Sequence, residues 1–378
     1  MRIAIDALLV CGAFSGVQHT ILHQIRALLA CESAHDFLVV ALADVPIEEH
    51  IGSTHAYRVA RAPARSGQRL RRIVWEQASL PGLLAAQGVD LLYSPGYLTS
   101  LRWRGPSVVF IHDTIALIHP RLCSVSNAVN YRLLLPPSAR RATLVATPST
   151  ASARDVAQYC RVSPSRIRVV PNGVHIPPMP TAAQVAAMRE KLGVEAPFLL
   201  AVSTIEPKKN FANLIRWFDA WKDAGIPHHL VIAGKWGWRS REVRQALAQA
   251  RYRAQIHLPG YFPQQEITVM MAAADVLLMP SRYEGFGLPA LEAMAVGTPV
   301  VVSNRGALPE TVGTAGVVIP LEEALWRAEI PTLLRFPARL QALRAAGRAH
   351  AEAHTWQHSA ARLLAVFEEA YGKVKRQK

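Results

Sequence analysis

The sequence predicts an α/β chain of two similarly sized domains, each a mostly parallel sheet covered by helices on both faces. Three observations carry this. Short runs rich in Val, Ile and Leu alternate with longer helix-like stretches through most of the 378 residues, a length that suits two domains. The segment 171–180, PNGVHIPPMP, puts four prolines in ten residues between two such alternations and reads as an extended linker. Hydrophobic residues make up 51% and charged residues 18%, the balance of a globular chain.

In the first alternation, strands are expected at 2–8, 37–42, 56–60, 90–93, 107–111, 143–147 and 167–170. Helices are expected at 17–30, 70–86, 124–139 and 150–160. In the second, strands are expected at 197–203, 229–234, 255–259, 275–279, 299–302 and 316–319, with helices at 209–222, 240–250, 264–273 and 287–296. The tail from 321 reads as helical, ending in an amphipathic helix near 357–372. The domains are therefore set at 1–178 and 179–355, with 356–378 as a terminal helix. Ligands of such sheets bind outside the carboxyl ends of the strands, and two facing domains leave a cleft between those ends.

No run of 18 or more apolar residues occurs, so no helix is expected to span a bilayer. Residues 1–10 are apolar but short and interrupted by Asp6, which reads as a buried strand and not a signal peptide. Cys11, Cys31, Cys123 and Cys160 lack the spacing of a metal site or disulfide framework, which suits a reduced, cytoplasmic setting. The net charge is +15, and residues 1–178 hold 18 Arg, no Lys and 10 acids. Arg58, Arg61, Arg65, Arg69, Arg71 and Arg72 cluster near Trp75. A solvated face is one reading. Attraction to an anionic membrane surface or a phosphate-bearing acceptor is the other. No zinc-finger spacing or aromatic RNA-binding signature supports nucleic acid.

The strongest local signal is 279–303, MPSRYEGFGLPALEAMAVGTPVVVS. A strand runs into a turn with Gly285 and Gly287, then Pro289 opens a helix that Gly297 ends. Amides at 286–289 then point out of a helix N-terminus, a favourable place for an anion. Glu284 and Glu292 bracket the turn. A carboxylate beside a diphosphate is repelled, so both are expected to face hydroxyl groups. A capping or surface pair is the plainer reading. The stretch 285–290 also matches the relaxed dinucleotide fingerprint G-x-G-x-x-A. Its late position, the preceding Glu284 and the Ser303-Asn304-Arg305 end of the next strand argue against a dehydrogenase.

The second signal is Glu206-Pro207-Lys208-Lys209-Asn210, where two lysines at a strand's carboxyl end suit a phosphate; a solvated turn is the alternative. The third is His112-Asp113 after an apolar strand. The His is a candidate for contact with an acceptor or reacting sugar, oriented by Asp113, or else a structural residue. The fourth is 11–19, where Gly12 and Gly16 would let the backbone approach a ligand.

Together these segments resemble glycosyltransferase family 4, retaining enzymes of the GT-B fold. EGFGLPALE carries the family's E-x7-E spacing as Glu284 and Glu292. EPKKN at 206–210, IHD at 111–113, SGVQHT at 15–20 and 148–174 resemble further family segments. The resemblance implies two Rossmann-like doubly wound parallel-sheet domains facing a cleft. The first would bind acceptor, the second nucleotide-sugar, and the last helix would cross back to the first. Glu284 would bind donor-sugar hydroxyls near the reacting carbon, and Glu292 the ribose. Lys209 would neutralise the diphosphate. The amides of Phe286, Gly287 and Leu288 would hold sugar and phosphate, and Gly16 would let its loop close on the diphosphate. His112 would sit by sugar and acceptor. No metal or other cofactor is implied.

One departure stands out: many relatives carry Arg where this chain has Ser203, so a second positive charge on the diphosphate is either missing or supplied by Lys208. Relatives with a similar segment resemble mannosyltransferases that use GDP-mannose in bacterial polysaccharide assembly. The expected partners are a nucleotide-sugar donor and a glycan or polyprenyl-diphosphate-linked acceptor, with peripheral contact at the inner face of the cytoplasmic membrane. The alternatives are a GT-B-fold nucleotide-sugar epimerase or a transferase using a UDP-sugar.

Overall fold

The middle strands of the first sheet are apolar at nearly every position because both faces are covered. The computed structural model describes residues 1–11, 16–52 and 57–376. The first unit's strands are β1 (Arg2–Asp6), β2 (Asp36–Leu42), β3 (Tyr57–Ala62), β4 (Leu91–Ser94), β5 (Ser107–Phe110), β6 (Leu144–Thr147) and β7 (Ile167–Val169). They form one parallel sheet in the order β3-β2-β1-β4-β5-β6-β7. The second unit's strands are β8 (Phe198–Val202), β9 (His229–Ala233), β10 (Ile256–Gly260), β11 (Val276–Met279), β12 (Val300–Ser303) and β13 (Val317–Ile319). They form a parallel sheet in the order β10-β9-β8-β11-β12-β13.

Each sheet reverses its strand order once, between β1 and β4 in the first and between β8 and β11 in the second. Loops leaving such a pair diverge to opposite faces, which opens a crevice at their carboxyl ends. Alternation along β8 shows the double covering. Phe198 and Leu200 pack with Leu277, Leu291 and Met294. Leu199 and Ala201 pack on the other face with Trp217, Trp221 and Trp326. Trp221 donates its Nε1–H to the Trp326 carbonyl at 2.9 Å, so its polar atom is satisfied in the core.

The chain divides into Met1–Gly173 with Trp356–Lys378, and Val174–Thr355. The first division thus falls earlier than residue 178. Val174 already belongs to the second unit, because its amide donates to the His354 carbonyl at 2.8 Å. The terminal helix Trp356–Lys375 belongs to the first unit. Trp356 stacks on His23 with ring centroids 5.2 Å apart, and Phe367 packs against Tyr93 at 4.9 Å.

Two local expectations change. The helix expected over 70–86 is two, Arg69–Ala78 and Leu80–Ala86. Pro81 lacks an amide donor and suits the first turn of the second helix, where that amide would have no intrahelical acceptor. A helix at Ala182–Leu192, absent from the expected order, follows the proline segment. Thr181 and Gln184 form a capping box, and Gly193 ends the helix at φ +64°. Among the described residues no helix is long and apolar enough to cross a membrane, and the four cysteines are free thiols.

Candidate active site

The reversal between β8 and β11 brings the two strongest sequence signals of the second unit together. After β8 the chain turns through Glu206 and a short 3-10 segment, Pro207–Lys209. After β11 it runs through Ser281 to Glu284. The Arg282 amide donates to the Lys208 carbonyl at 2.7 Å and fastens the two loops. Lys209 Nζ then lies 2.5 Å from Glu284 Oε1, both side chains buried. Lys208 Nζ lies 3.9 Å from Glu284 Oε2 and 3.5 Å from Glu206 Oε1.

The charges of these groups follow from that packing. Burial pushes Glu284 up, but Lys209 and Lys208 beside it, helped by Ser281, outweigh this and hold its carboxyl below the usual range. Glu206 has the same lysines and more burial than they offset, so its carboxyl is raised. Glu292 accepts a hydrogen bond from Gln264 Nε2 at 2.9 Å. It is half-buried by surface area yet densely surrounded by protein, and burial pushes its carboxyl up to about 7 against that hydrogen bond.

The turn between the two carboxylates depends on glycine. Gly287 has φ +107°, and a Cβ there would stand 2.6 Å from Leu308 Cδ2. Gly306 has φ +60°, and a Cβ there would stand 2.2 Å from the Glu284 carbonyl oxygen. The helix Leu288–Ala295 starts from Gly287, with Pro289 in its first turn and Gly297 at φ +72° just beyond its end. The Phe286 carbonyl accepts from Thr311 Oγ1 at 2.6 Å. The amides of Phe286, Gly287 and Leu288 lie at the opening of this helix, where amides have no intrahelical acceptor. Ser203 follows β8 and its amide donates to the Ala233 carbonyl at 3.0 Å. Gly234 packs on it so closely that a Cβ would stand 1.9 Å from the Ser203 oxygen.

In the first unit, His112 and Asp113 follow β5. His112 is buried, its Nε2–H donates to the Pro95 carbonyl at 2.8 Å, and its ring packs on Phe110 at 4.8 Å and Tyr97 at 5.1 Å. Burial lowers its pKa to about 4, against the raising effects of the Pro95 carbonyl and Asp113. The ring is therefore neutral at pH 7, and with Nε2 carrying the proton its Nδ1 is an acceptor. The orienting group is the Pro95 carbonyl and not Asp113. Asp113 instead accepts from the Ile115 amide at 3.1 Å and from Tyr97 Oη at 3.2 Å. Tyr97 holds φ +70°, a costly conformation for a non-glycine residue and one that concentrates at functional sites.

Gly16 is the exposed first residue of the helix Gly16–Ala30, and among the described residues a Cβ there would meet nothing within 4 Å. Packing does not require glycine at that position. Gly12 lies outside the described residues. Glu206 and Tyr97 belong to these two clusters, and neither had a role assigned from the sequence. Glu206 carried a signal as part of EPKKN; Tyr97 carried none, since its role depends on the neighbouring strand. Among the described residues no group of three or more His, Cys, Asp or Glu is arranged to hold a metal ion.

Two parallel-sheet units, each with candidate residues at the carboxyl ends of its strands, match the GT-B class of fold. Comparison with known proteins agrees. The Glycosyltransferase Family 4 profile matches residues 14–176, and the Glycosyl transferases group 1 profile matches 185–349. The chain is 32% identical over 173 residues to the O-antigen chain mannosyltransferase B of Escherichia coli, covering 45% of each protein. It is 31% identical over 243 residues to the MMP alpha-(1->4)-mannosyltransferase of Mycolicibacterium hassiacum, covering 62% of this chain and 56% of that protein. The matched stretches thus span about half of each of these two relatives. It is 30% identical over 342 residues to a D-inositol 3-phosphate glycosyltransferase of Thermobispora bispora, covering 80% of this chain and 78% of that one. The structure of Anabaena Alr3699/HepE in complex with UDP and glucose superposes with a TM-score of 0.74 at 20% identity, covering all of both chains. The chain belongs to glycosyltransferase family 4.

Proposed function

We propose that this chain is a retaining, metal-independent hexosyltransferase that moves mannose from GDP-mannose onto a glycan or lipid-linked sugar in bacterial polysaccharide assembly. The observation that carries the reading is the buried pair of Lys209 and Glu284 at the switch point beside the Gly287 turn. Breaking a glycosyl–phosphate bond leaves positive charge on the sugar carbon and negative charge on the phosphate. Lys209, Lys208 and the amides of Phe286, Gly287 and Leu288 stabilise the phosphate. Glu284 accepts from hydroxyls of the donor sugar, and Glu292 from the ribose. His112 accepts from a sugar hydroxyl through Nδ1.

The acceptor oxygen bonds to the anomeric carbon on the face the phosphate leaves, and the acceptor's proton passes to the departing diphosphate. Lysines and amides supply the positive charge that a metal ion provides elsewhere. Support for mannose comes from the mannosyltransferase relatives, including a GDP-mannose-dependent phosphatidylinositol dimannoside mannosyltransferase of Mycobacterium tuberculosis at 32% identity over 213 residues.

The test is thermal melting against GDP, UDP, ADP and TDP. A nucleotide at ~100 times its dissociation constant stabilises by about 2.7 kcal/mol, a rise of several degrees at roughly 2–4 °C per kcal/mol. A rise with GDP alone, lost in Lys209→Ala, supports the reading. A rise with UDP alone replaces the donor assignment, and no rise with any of the four removes the assignment of the site.

A further inference from the structure

Behind the Gly287 turn the chain folds into a bracket. After β12 it turns at Gly306 into the short helix Leu308–Val312. The Ala307 amide donates to the Glu284 carbonyl at 2.9 Å, and Leu308 fills the space beside Gly287. Thr311, buried in that helix, donates its hydroxyl to the Phe286 carbonyl at 2.6 Å.

That last bond orients an amide as well as a carbonyl. A peptide unit is planar and trans, so its C=O and N–H point opposite ways. The Phe286 C=O and the Gly287 N–H belong to one such unit. With the carbonyl turned in toward Thr311, the Gly287 amide is turned away from it. That amide lies ahead of the helix Leu288–Ala295, where amides have no intrahelical acceptor. The local chain alone does not hold this orientation. Glycine adopts positive and negative φ about equally readily, so the unit can turn over unless something grips it. Turned over, it would present a carbonyl oxygen, which repels a phosphate.

We propose that Thr311 is a positioning residue for sugar transfer, locking the Phe286–Gly287 peptide with its amide toward the donor, and that His350 holds Thr311 for this task. His350 lies on the helix Pro337–Glu352, and its Nε2–H donates to the Thr311 carbonyl at 2.8 Å. That carbonyl belongs to the last turn of its helix, where carbonyls lack an intrahelical donor. The ring is itself braced. A Cβ on Gly313 would stand 3.4 Å from His350 Cε1. His354 donates from Nδ1 to the His350 carbonyl at 2.8 Å, and the His354 carbonyl takes the Val174 amide at 2.8 Å. Burial lowers the His350 pKa, against the raising effect of the Thr311 carbonyl, so the ring donates as a neutral group at pH 7. Both residues act through the Phe286–Gly287 peptide.

The role rests on reading this turn as the donor site, and the test separates the two. Calorimetric titration with GDP, UDP, ADP and TDP measures the site without any acceptor. Thr311→Val keeps the shape and removes the hydroxyl, and should weaken nucleotide binding roughly three- to tenfold, the scale of one hydrogen bond. Thr311→Ser keeps the hydroxyl and should bind like wild type, although loss of the methyl lowers its melting temperature. His350→Leu should weaken binding by a smaller factor. His350→Gln, a neutral side chain that still donates, should restore it. Because His350 acts through Thr311, Thr311→Val with His350→Leu should bind no more weakly than Thr311→Val alone. A merely structural role would make affinity follow melting temperature, and Thr311→Ser would then lose affinity too; that result would overturn the proposal. So would Thr311→Val binding like wild type, or losses that multiply in the double variant. If Thr311→Val does not fold, the half-buried His350 decides, and equal affinity in His350→Leu and His350→Gln overturns the lock. A wild-type chain that binds none of the four nucleotides removes the donor reading and the proposal with it, whereas a wild type that binds beside unaffected variants removes the proposal alone.

Discussion

At the carboxyl end of the first sheet, burial removes charge. At the carboxyl end of the second, it is overcome at Glu284 though not at Glu206. Around β1, β4 and β5 the groups whose ionisation is shifted include His112, whose pKa falls to about 4, and the buried carboxyls of Asp6 and Glu76, pushed up to about 6 and about 8. Arg72 is the cation acting on both acids, and Glu76 Oε1 is buried with no hydrogen-bond partner among the described residues. Around β8 and β11, Lys208 and Lys209 keep Glu284 charged despite comparable burial. The difference follows from the number of cations each loop delivers. It teaches that equal burial gives unequal chemistry: the first end holds neutral groups, the second a charged carboxylate among lysines.

The largest expected effects attack the charged end. Lys209→Ala should lower transfer by about 10²–10³-fold, the usual cost of removing one preorganised electrostatic group, as read from kcat in a product assay. Glu284→Ala should destabilise the ligand-free chain by about 3–5 kcal/mol, because it leaves Lys209 buried and unpaired. Saturating nucleoside diphosphate should recover part of that loss in a denaturant titration. Wild-type stability in Glu284→Ala would mean the pair is not held as described.

The next effect probes the neutral end. Glu76 has a raised folded pKa, so its contribution is fully present below the usual carboxylate range and is lost as pH rises toward about 8. Glu76→Gln should therefore gain stability on wild type as pH rises through that window, measured by urea unfolding at several pH values. A difference that shrinks with rising pH would break the contrast between the ends.

Smaller changes sharpen it. His112→Ala should lower transfer roughly tenfold, the scale of one neutral hydrogen bond. With the wild-type pKa near 4, that loss should not vary between pH 6 and pH 8. A loss that grows as pH falls would mean His112 works as a cation. The smallest effect concerns Glu292. Its carboxyl ionises at about 7, and the ionised form is the better acceptor, so nucleotide affinity should rise a few-fold from pH 6 to pH 8. Titration calorimetry should show this in wild type and a flat profile in Glu292→Gln.

The strands were legible because residues buried on both faces form short runs of Val, Ile and Leu that no other local structure explains as well. The Gly287 turn was legible because a positive φ beside Leu308 leaves room for glycine only. Other features could not be read locally. Pro81 ended one helix and opened the next, although the periodicity ran through it. The Thr181–Gln184 capping box was present in the sequence but overshadowed by the prolines before it.

The sequence by itself determined two parallel α/β units, the Glu284–Glu292 spacing and the lysines after β8, since each depends on residues close together in the chain. Only the tertiary structure decided that Lys209 meets Glu284 across 75 positions and that Pro95 and not Asp113 orients His112. The physical reason is strand order. Which loops share a switch point depends on how distant strands pair, and pairing is set by burial of the whole sheet and not by any one segment.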